Sequence, residues 1–315
     1  MINYPVPGST LANTTVAQAQ AFLKSPTLLA QRLAEILSDH NFLAHYLLRG
    51  QYRMVGGAVA YVPDESTSSG AKAETVAPGG EYPLTSLPVD TAVLVAALKK
   101  GLATEIADET VGRLQMDPVE RALQMLAYDL VSQFDEAAIS AIRSAVAQVI
   151  AASGSWATGE LADRSIQIVT DVEVAKATIK GQKKGYRATS VVLTDLQWAA
   201  VAPALLPLLP RESGNPILSG GFPNILGVDW VSSSDLPAGW VPLVTDADNL
   251  GGIGHEDIPS EGYVSLSSVA AENRSNVEVK RSRQENDSTR VQVRKADVPV
   301  VRNPNAGVKI NGTGI

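Results

Sequence analysis

The sequence contains no cysteine, which excludes disulfide bonds, thiolate catalysis and cysteine-ligated metals. No apolar run approaches the roughly 20 residues that a membrane-spanning helix needs. The first residues, MINYPVPGSTLANTTVAQ, lack the basic and apolar regions of a secretory signal. We therefore expect a soluble protein that is not exported and has no membrane partner.

Basic residues are fewer than acidic ones in this sequence. The 26 basic residues are outnumbered by 33 acidic residues, which gives a formal net charge of −7. This balance argues against broad, tight binding of duplex DNA, because such binding normally requires a basic face. The 315 residues are 45% hydrophobic, which is enough to bury a sizeable core in one to three domains.

The residues that usually carry catalysis form no recognisable site. His40 and His45 are five residues apart and do not share one helical face, so they do not predict a metal pair. His255 is followed by Glu256 and Asp257 in GGIGHEDIPS, which we interpret as a solvated turn rather than a metal or acid–base site. No P-loop, nucleophile elbow or complete dinucleotide-binding motif is present. We predict no catalytic, cofactor-binding or metal-binding residues, and no enzyme.

Two basic clusters leave a choice between interpretations. The first cluster is Lys183, Lys184 and Arg187, and the second is Lys280, Arg281 and Arg283 with Arg290, Arg294 and Lys295. A phosphate-contacting surface is one interpretation. Ion pairing between subunits, or simple solubility, is favoured because the acidic residues Glu278, Glu285, Asp287 and Asp297 are interleaved with the second cluster.

Two helices are indicated by their starting signals and apolar spacing. Residues 1–24 are polar and turn-rich and predict an extended arm, after which Ser25 and Pro26 open a helix that ends near Asp39. Asp117 and Pro118 open a second helix, whose apolar residues recur at three to five positions up to Val149. That helix is predicted to run to about Ala152, roughly 50 Å in length.

The segment from Gly56 to Gly101 has strand-like ends and a middle rich in Gly, Pro and Ser. It predicts a two-stranded excursion, with strands at 52–62 and 84–100. An isolated hairpin is marginally stable in water, so this one should lie on its own body or on a neighbouring subunit.

The rest of the chain alternates between α/β and β patterns. Thr170 and Asp171 are predicted to cap a helix that Gly181 closes, strand 190–194 follows, and Asp195 caps a helix that Pro203 stops. Beyond Ser265, VEVKRS and TRVQVRK alternate with period 2 around the turn QENDS, and VPVVRNPNAGVKI adds one more strand. We expect these strands to pack on the long helix.

Three stretches, AETVAPGGEYP, KKGLATEIADETV and PNILGVDWVSSSDLPAG, together with the order of elements, resemble the major capsid protein of tailed double-stranded-DNA bacteriophages. This family shares its fold with encapsulins. The resemblance implies an α+β fold with an N-arm, an E-loop hairpin, a peripheral domain with a long spine helix, and an α/β axial domain. The implied boundaries are 1–50 for the arm and first helix, 51–104 for the E-loop, 105–164 for the peripheral domain, 165–263 for the axial domain and 264–315 for the closing strands.

The resemblance implies a subunit that self-assembles into the icosahedral head around the DNA genome, in the virion, after assembly in the host cytoplasm. Its implied partners are copies of itself in pentamers and hexamers, a separate scaffolding protein and a portal, with a decoration protein as a further candidate. The alternatives are an encapsulin-type compartment, a minor head protein or an α/β enzyme with an unrecognised site. Nothing aligns Lys72, Asn303 or Asn305 with the crosslinking site that some relatives have.

Overall fold

The computed structural model describes most of the chain. The described residues are 15–39, 43–64, 75–76, 78–82, 84, 91–114, 116–206, 224–265 and 277–315. Four predicted features lie wholly or largely outside them: the arm up to residue 14, His40, the E-loop middle with Lys72, and most of the loop PRESGNPILSGGFPN.

Helices and strands follow one another in the order of an α+β protein. The helices are α1 (Val16–Lys24), α2 (Pro26–Asp39), α3 (Leu43–Leu47), α4 (Asp108–Leu114), α5 (Asp117–Ala145), α6 (Leu161–Gly181) and α7 (Asp195–Leu205). The strands are β1 (Gly50–Arg53), β2 (Ala58–Tyr61), β3 (Val93–Ala96), β4 (Leu98–Ala107), β5 (Val149–Ala151), β6 (Ser190–Thr194), β7 (Asn224–Ile225), β8 (Val228–Ser233), β9 (Leu243–Thr245), β10 (Gly252–His255), β11 (Tyr263–Ser265), β12 (Glu278–Arg283), β13 (Ser288–Val300) and β14 (Gly307–Asn311).

The N-terminal helices show one correct prediction and one error. Helix α2 begins at Pro26, and the Ser25 hydroxyl accepts a hydrogen bond from the Leu28 amide at 3.4 Å, as the sequence indicated. The prediction of an extended arm to residue 24 is wrong, because residues 16–24 form α1. A reciprocal capping box between Thr15 and Gln18 starts that helix by satisfying backbone donors of its first turn.

Helix α5 is the predicted long helix, with 29 residues and a length of about 44 Å at 1.5 Å per residue. It ends at Ala145, not near Ala152, because Val149 already belongs to strand β5. Its cap residue is Met116, and Asp117 is its first residue rather than its cap. The two halves of its buried stripe enter different cores.

A first sheet is built around β13. This strand pairs with β12 through 289–294, with β4 through 288–297 and with β10 through 297–300, always antiparallel. The parallel strand β1 extends the sheet beyond β10, and β11 extends it beyond β12. The predicted hairpin of VEVKRS and TRVQVRK is therefore present, and VPV continues its second strand.

A second sheet has the order β5-β14-β9-β6-β8-β7. The buried strand predicted at 190–194 is β6, which pairs parallel with β8 and antiparallel with β9. Helix α6 begins at Leu161, so Thr170 and Asp171 lie inside it rather than at its cap, and α7 contains Pro203 rather than ending there. The last predicted strand, VPVVRNPNAGVKI, covers the end of β13 and most of β14. These are separate elements, because β14 joins the second sheet.

Two large cores lie along α5. The wall core packs α1, α2, α4 and the first half of α5 against β12 and β13, with Leu33, Leu123 and Val291 wholly buried. The second core packs the later half of α5 with α3, α6, α7 and the second sheet, around Trp156 and Trp230. The strands beyond residue 277 therefore pack on the long helix, as expected.

Candidate assembly surfaces

The predicted excursion has a short stem made of β2 and β3. These strands pair antiparallel from Ala58 opposite Ala96 to Tyr61 opposite Val93. The predicted strand 52–62 is interrupted, because Gly56 and Gly57 adopt φ values of +83° and +79°, a region that favours glycine. The stem packs against the end of β13 through a small cluster that includes Met54, Val298 and Val300.

The excursion exposes apolar side chains that the described part of the chain does not cover. The exposed fraction is 71% for Leu94 on β3, 79% for Tyr82 and 95% for Leu84. Leu98 and Val55 are also exposed. Exposed apolar side chains concentrated in one segment favour a surface that another molecule covers.

Asp64, which the sequence did not single out, clamps the end of the stem to the second core. Its carboxylate binds the Lys184 ammonium at 2.7 Å and accepts a hydrogen bond from the Asn305 side-chain amide. Its own backbone N–H donates to the Arg302 carbonyl at 2.7 Å. This clamp connects the excursion to the turn that follows α6 and to the segment after β13. No local sequence signal marks it.

A second candidate surface is a recess of about 490 Å³ between α2 and the outer face of α5. Its polar wall is the ion pair of Arg32 with Glu120, in which Nε lies 3.0 Å from Oε1. Its apolar wall includes Met125 and Tyr128, with 58% and 55% of their surface exposed. Both residues lie outside the apolar stripe that α5 buries. Their position outside that stripe is the sequence signal that could have identified them.

Most side chains of the predicted basic clusters form ion pairs within the chain. Lys184 binds Asp64, and on β13 Arg290 pairs with Glu105, Arg294 with Glu278 and Lys295 with Asp297. Arg283 bridges Asp108 and Asp287. Arg290 and Arg294 thereby link β13 to β4 and β12, and Arg283 links β12 to α4. Three of the interleaved acids noted in the sequence, Glu278, Asp287 and Asp297, are among the partners.

His255 is placed differently from the prediction. It lies on the buried strand β10, not in a solvated turn, because β10 packs between β1 and β13 so closely that Gly252 has no room for a Cβ. Its Nδ1 lies 2.9 Å from Asp297 and its Nε2 lies 2.8 Å from Asp257. Burial lowers the pKa of His255, but the two hydrogen-bonded carboxylates outweigh it and leave that pKa raised.

The other histidines and acids do not form a metal site in the described part of the chain. His45 lies on α3 with its ring 6.1 Å from that of Phe134, and Glu256 is not part of the His255 hydrogen-bond group. No cluster of three His, Asp or Glu residues suited to a metal ion occurs among the described residues. None of the described helices is long and apolar enough to cross a bilayer.

A chain of buried charges lies between α5 and the first sheet. The Lys295 ammonium is 2.9 Å from Asp297 and 4.1 Å from the Phe134 ring centre. Burial raises the pKa of Asp297, but Lys295 and His255 outweigh it and leave that pKa below its ordinary value. Burial raises the pKa of Asp135 to about 6, against the opposing hydrogen bonds from the Ala44 and Leu43 amides and the charge of Lys295.

Comparison with known proteins identifies the family. The sequence model of a family described as phage capsid protein matches residues 90–310. The match covers more than half of the chain, so the chain belongs to the phage capsid protein family. Among curated protein sequences, none matches at a significant level.

Solved structures share the fold at low sequence identity. A virus-like particle from Pyrococcus furiosus is 13% identical with a TM-score of 0.56, over 90% of this chain and 98% of that one. The capsid of a native GTA particle is 13% identical with a TM-score of 0.54, over 99% and 96%. The capsid of cyanophage P-SCSP1u is 12% identical with a TM-score of 0.54, over 86% and 88%.

These findings confirm the predicted α+β capsid fold and the predicted role as a phage capsid protein that forms the head. The family is a structural one, and the chain self-assembles into a capsid shell in the virion. The family match does not favour the encapsulin alternative.

Proposed function

We propose that copies of this chain form the wall of the head as pentamers and hexamers, which enclose double-stranded DNA without sequence-specific binding and without catalysing a reaction. The observation that carries this proposal is the exposed apolar excursion, which has a stem of only two strands and leaves Leu84 and Leu94 uncovered. A neighbouring copy provides the surface that the excursion lacks, and burial against it supplies the missing stability.

The five predicted segments remain part of the proposal. Residues 51–104 act as the E-loop that lies on a neighbour, 105–164 and 264–315 form most of the peripheral domain, and 165–263 form most of the axial domain. Across these boundaries, β10 and β11 pair within the first sheet and β14 pairs within the second. The packing of β12 and β13 on α5 supports a peripheral domain assembled from both parts of the chain.

The partners beyond the chain itself are also proposals. A separate scaffolding protein would guide curvature, a portal would occupy one vertex, and a decoration protein would bind the finished shell. Assembly would take place in the host cytoplasm.

Negative-stain electron microscopy of the overexpressed, purified protein tests the proposal. Wild-type protein should form shells, tubes or isolated hexamers and pentamers. The double variant Y82S/L84S should stay folded, since both side chains are largely exposed in the single chain, but should lose closed shells. The matched variant E81Q, in the same segment, should assemble as wild type does.

A stable monomer of 33.2 kDa at high protein concentration would contradict the proposal. So would normal shells from Y82S/L84S, because the excursion would then contribute nothing to assembly. Small empty particles with a groove for a cargo peptide would favour an encapsulin-type compartment, and a monomer with measurable ligand affinity would favour an α/β enzyme.

A further inference from the structure

A row of alternating charges runs from the interior of the first sheet to the start of the excursion. The Lys295 ammonium lies 2.9 Å from Asp297, and Asp297 lies 2.9 Å from Nδ1 of His255. Nε2 of His255 lies 2.8 Å from Asp257, and Asp257 lies 3.7 Å from Arg53, the last residue of β1. His255 is therefore the central cation of this charge row, and it is the member whose side-chain type changes charge near neutral pH.

The contacts of His255 require a protonated ring. Each ring nitrogen lies at hydrogen-bond distance from a carboxylate oxygen, and an ionised carboxylate can only accept. Both nitrogens donate only in the imidazolium, because a neutral imidazole has a single N–H. Loss of one proton leaves a ring lone pair facing a carboxylate. The site therefore stabilises the protonated ring, in agreement with the raised pKa of His255.

The two carboxylates differ in how easily they can leave the ring. The side chain of Asp297 is 2% exposed and also binds Lys295, so it cannot turn into water. The side chain of Asp257 is 45% exposed, so water can replace the ring as its partner. Because an unpaired buried carboxylate is the costlier of the two, the neutral ring keeps its proton on Nδ1. Deprotonation therefore breaks the bond between His255 and Asp257.

Residues 255–257 contact the root of the excursion, which we define as residues 53–57. The Met54 amide donates a hydrogen bond to the histidine carbonyl at 2.7 Å. The carboxylate of Asp257 lies beside the guanidinium of Arg53. Release of that carboxylate from the ring therefore removes a charged contact at the point where the excursion leaves the sheet.

We propose that the charge of His255 controls how firmly the root of the excursion is held to the first sheet. The protonated ring holds the root, and the neutral ring loosens it. This regulation rests on the proposed function for its consequence, because the excursion is the part that lies on a neighbouring copy. A firmly held root presents the excursion in one direction and so reduces the ordering cost of that contact.

Other charged groups near the row come from four elements. Arg53 of β1 is the strand partner of His255, and Glu256 follows His255 in the chain. Lys100 of β4 lines a small recess beside the row. Side chains of these three types ordinarily keep their charge between pH 6.5 and 9. On α5, burial raises the pKa of Asp135 to about 6, which is below that range. The histidine is therefore the group that we expect to switch there.

Deuterium exchange at the C2 position of histidine rings, followed by mass spectrometry, tests the switch in the unassembled chain. We expect the pKa of His255 to lie above 6.5 and to fall in D257N, because a neutral amide stabilises the imidazolium less than a carboxylate does. The matched control D248N removes another exposed carboxylate, which binds Arg49 at 2.7 Å, and should leave the pKa of His255 unchanged. A pKa of His255 at or below 6.5, or one that D257N does not lower, would overturn the proposal.

Amide hydrogen exchange at pH 6.5 and 9, corrected for the intrinsic rate at each pH, measures the root itself. In the wild type, exchange in peptides covering 54–61 and 93–97 should rise about tenfold relative to β6, the size expected for the loss of one hydrogen bond to a charged group. In D257N this rise should disappear, because an asparagine side chain can donate to a neutral ring nitrogen and accept from a protonated one.

The variant D257N also distinguishes a switch from a merely structural contact. A structural contact would give faster exchange at both pH values in D257N with the same rise as in the wild type, and that result would overturn the proposal. Unchanged exchange at the root while His255 loses its proton would overturn it as well.

The outcomes separate this inference from the proposed function, because both measurements use unassembled chains. Normal wild-type shells together with no pH-dependent rise at the root would overturn the switch alone. A rise that D257N abolishes, in a chain that never forms shells, would support the switch and overturn the proposed function alone.

Discussion

At the scale of single residues, Asp135 shows how a buried charge can join two elements. It lies on α5, and its carboxylate accepts hydrogen bonds from the Leu43 and Ala44 amides at 3.2 Å and 3.3 Å, at the first turn of α3. The bonds satisfy backbone donors that a helix start leaves free. Burial nevertheless raises the pKa of Asp135 to about 6, so the charged carboxylate is tolerated rather than favoured.

This raised pKa predicts how stability depends on pH. Because the folded chain takes up the Asp135 proton near pH 6 and the unfolded chain only near 3.8, the contribution of Asp135 to stability grows as pH falls between those values. The pKa difference corresponds to about 3 kcal/mol at most. The variant D135N should therefore lose this gain and show a flatter stability curve than wild type between about pH 4 and 7.

Urea unfolding of the free subunit, followed by circular dichroism, checks this prediction. H255Q serves as a control that acts over a different pH range. Because the pKa of His255 is raised in the folded chain, its contribution to stability is present below pH 6.5 and is lost as the pH rises through the folded-state pKa. If the free energy of unfolding of wild type and D135N changed equally with pH, the assignment of the raised pKa to Asp135 would be contradicted.

At the scale of elements, α5 separates folding from assembly on two faces of one helix. Leu123 is wholly buried in the wall core, whereas Met125, two positions later, is more than half exposed at the recess beside α2. The buried face determines subunit stability, and the exposed face is available to a neighbour.

The two faces predict opposite behaviour for two matched substitutions. L123A should lower the free energy of unfolding by about 2–5 kcal/mol, because it leaves a cavity in the core. M125A should change it by no more than about 0.5 kcal/mol, as is usual at the surface. Urea unfolding gives the stabilities, and M125A shells counted by electron microscopy should be fewer than those of wild type. Equal losses of stability in both variants would refute the division into faces.

Elements with a strong local period could be predicted from the sequence, and elements set by distant contacts could not. Helix α5 and the β12–β13 hairpin follow their apolar spacing. The prediction of α5 ran too far because Val146 and Val149 continue its spacing. Helix α1 was missed because VAQAQAFLK carries few large apolar residues, although Thr15 and Gln18 marked its start.

The candidate surfaces were harder to predict than the fold. The exposed excursion was evident from its composition, whereas the clamp at Asp64 joins residues more than 100 positions apart and left no local trace. Glycines in GGIGH were interpreted as a loop, but they permit the close approach of β1 and β10, a pairing between strands about 200 positions apart. Such pairings depend on the whole fold rather than on local preference.

At the scale of the whole molecule, two cores share one helix. The wall core holds α1, α2 and the β12–β13 hairpin, and the second core holds the second sheet with α6 and α7. Cores of this kind open as separate cooperative units in hydrogen exchange.

Hydrogen exchange followed by mass spectrometry should therefore report the two cores independently. L123A should speed exchange in α2 and β12 more than in β6, and V192A, a matched cavity in the second core, should do the reverse. Uniform acceleration in either variant would show instead that the molecule opens as a single unit.

The strands β13 and β14 have a consequence for the fidelity of particle production. β13 is the central partner of three strands in the first sheet, and β14 lies between β5 and β9 in the second. A polypeptide released from the ribosome before Ser288 can complete neither sheet. We expect abortive translation products to lack a complete wall surface and therefore to be left out of the growing particle.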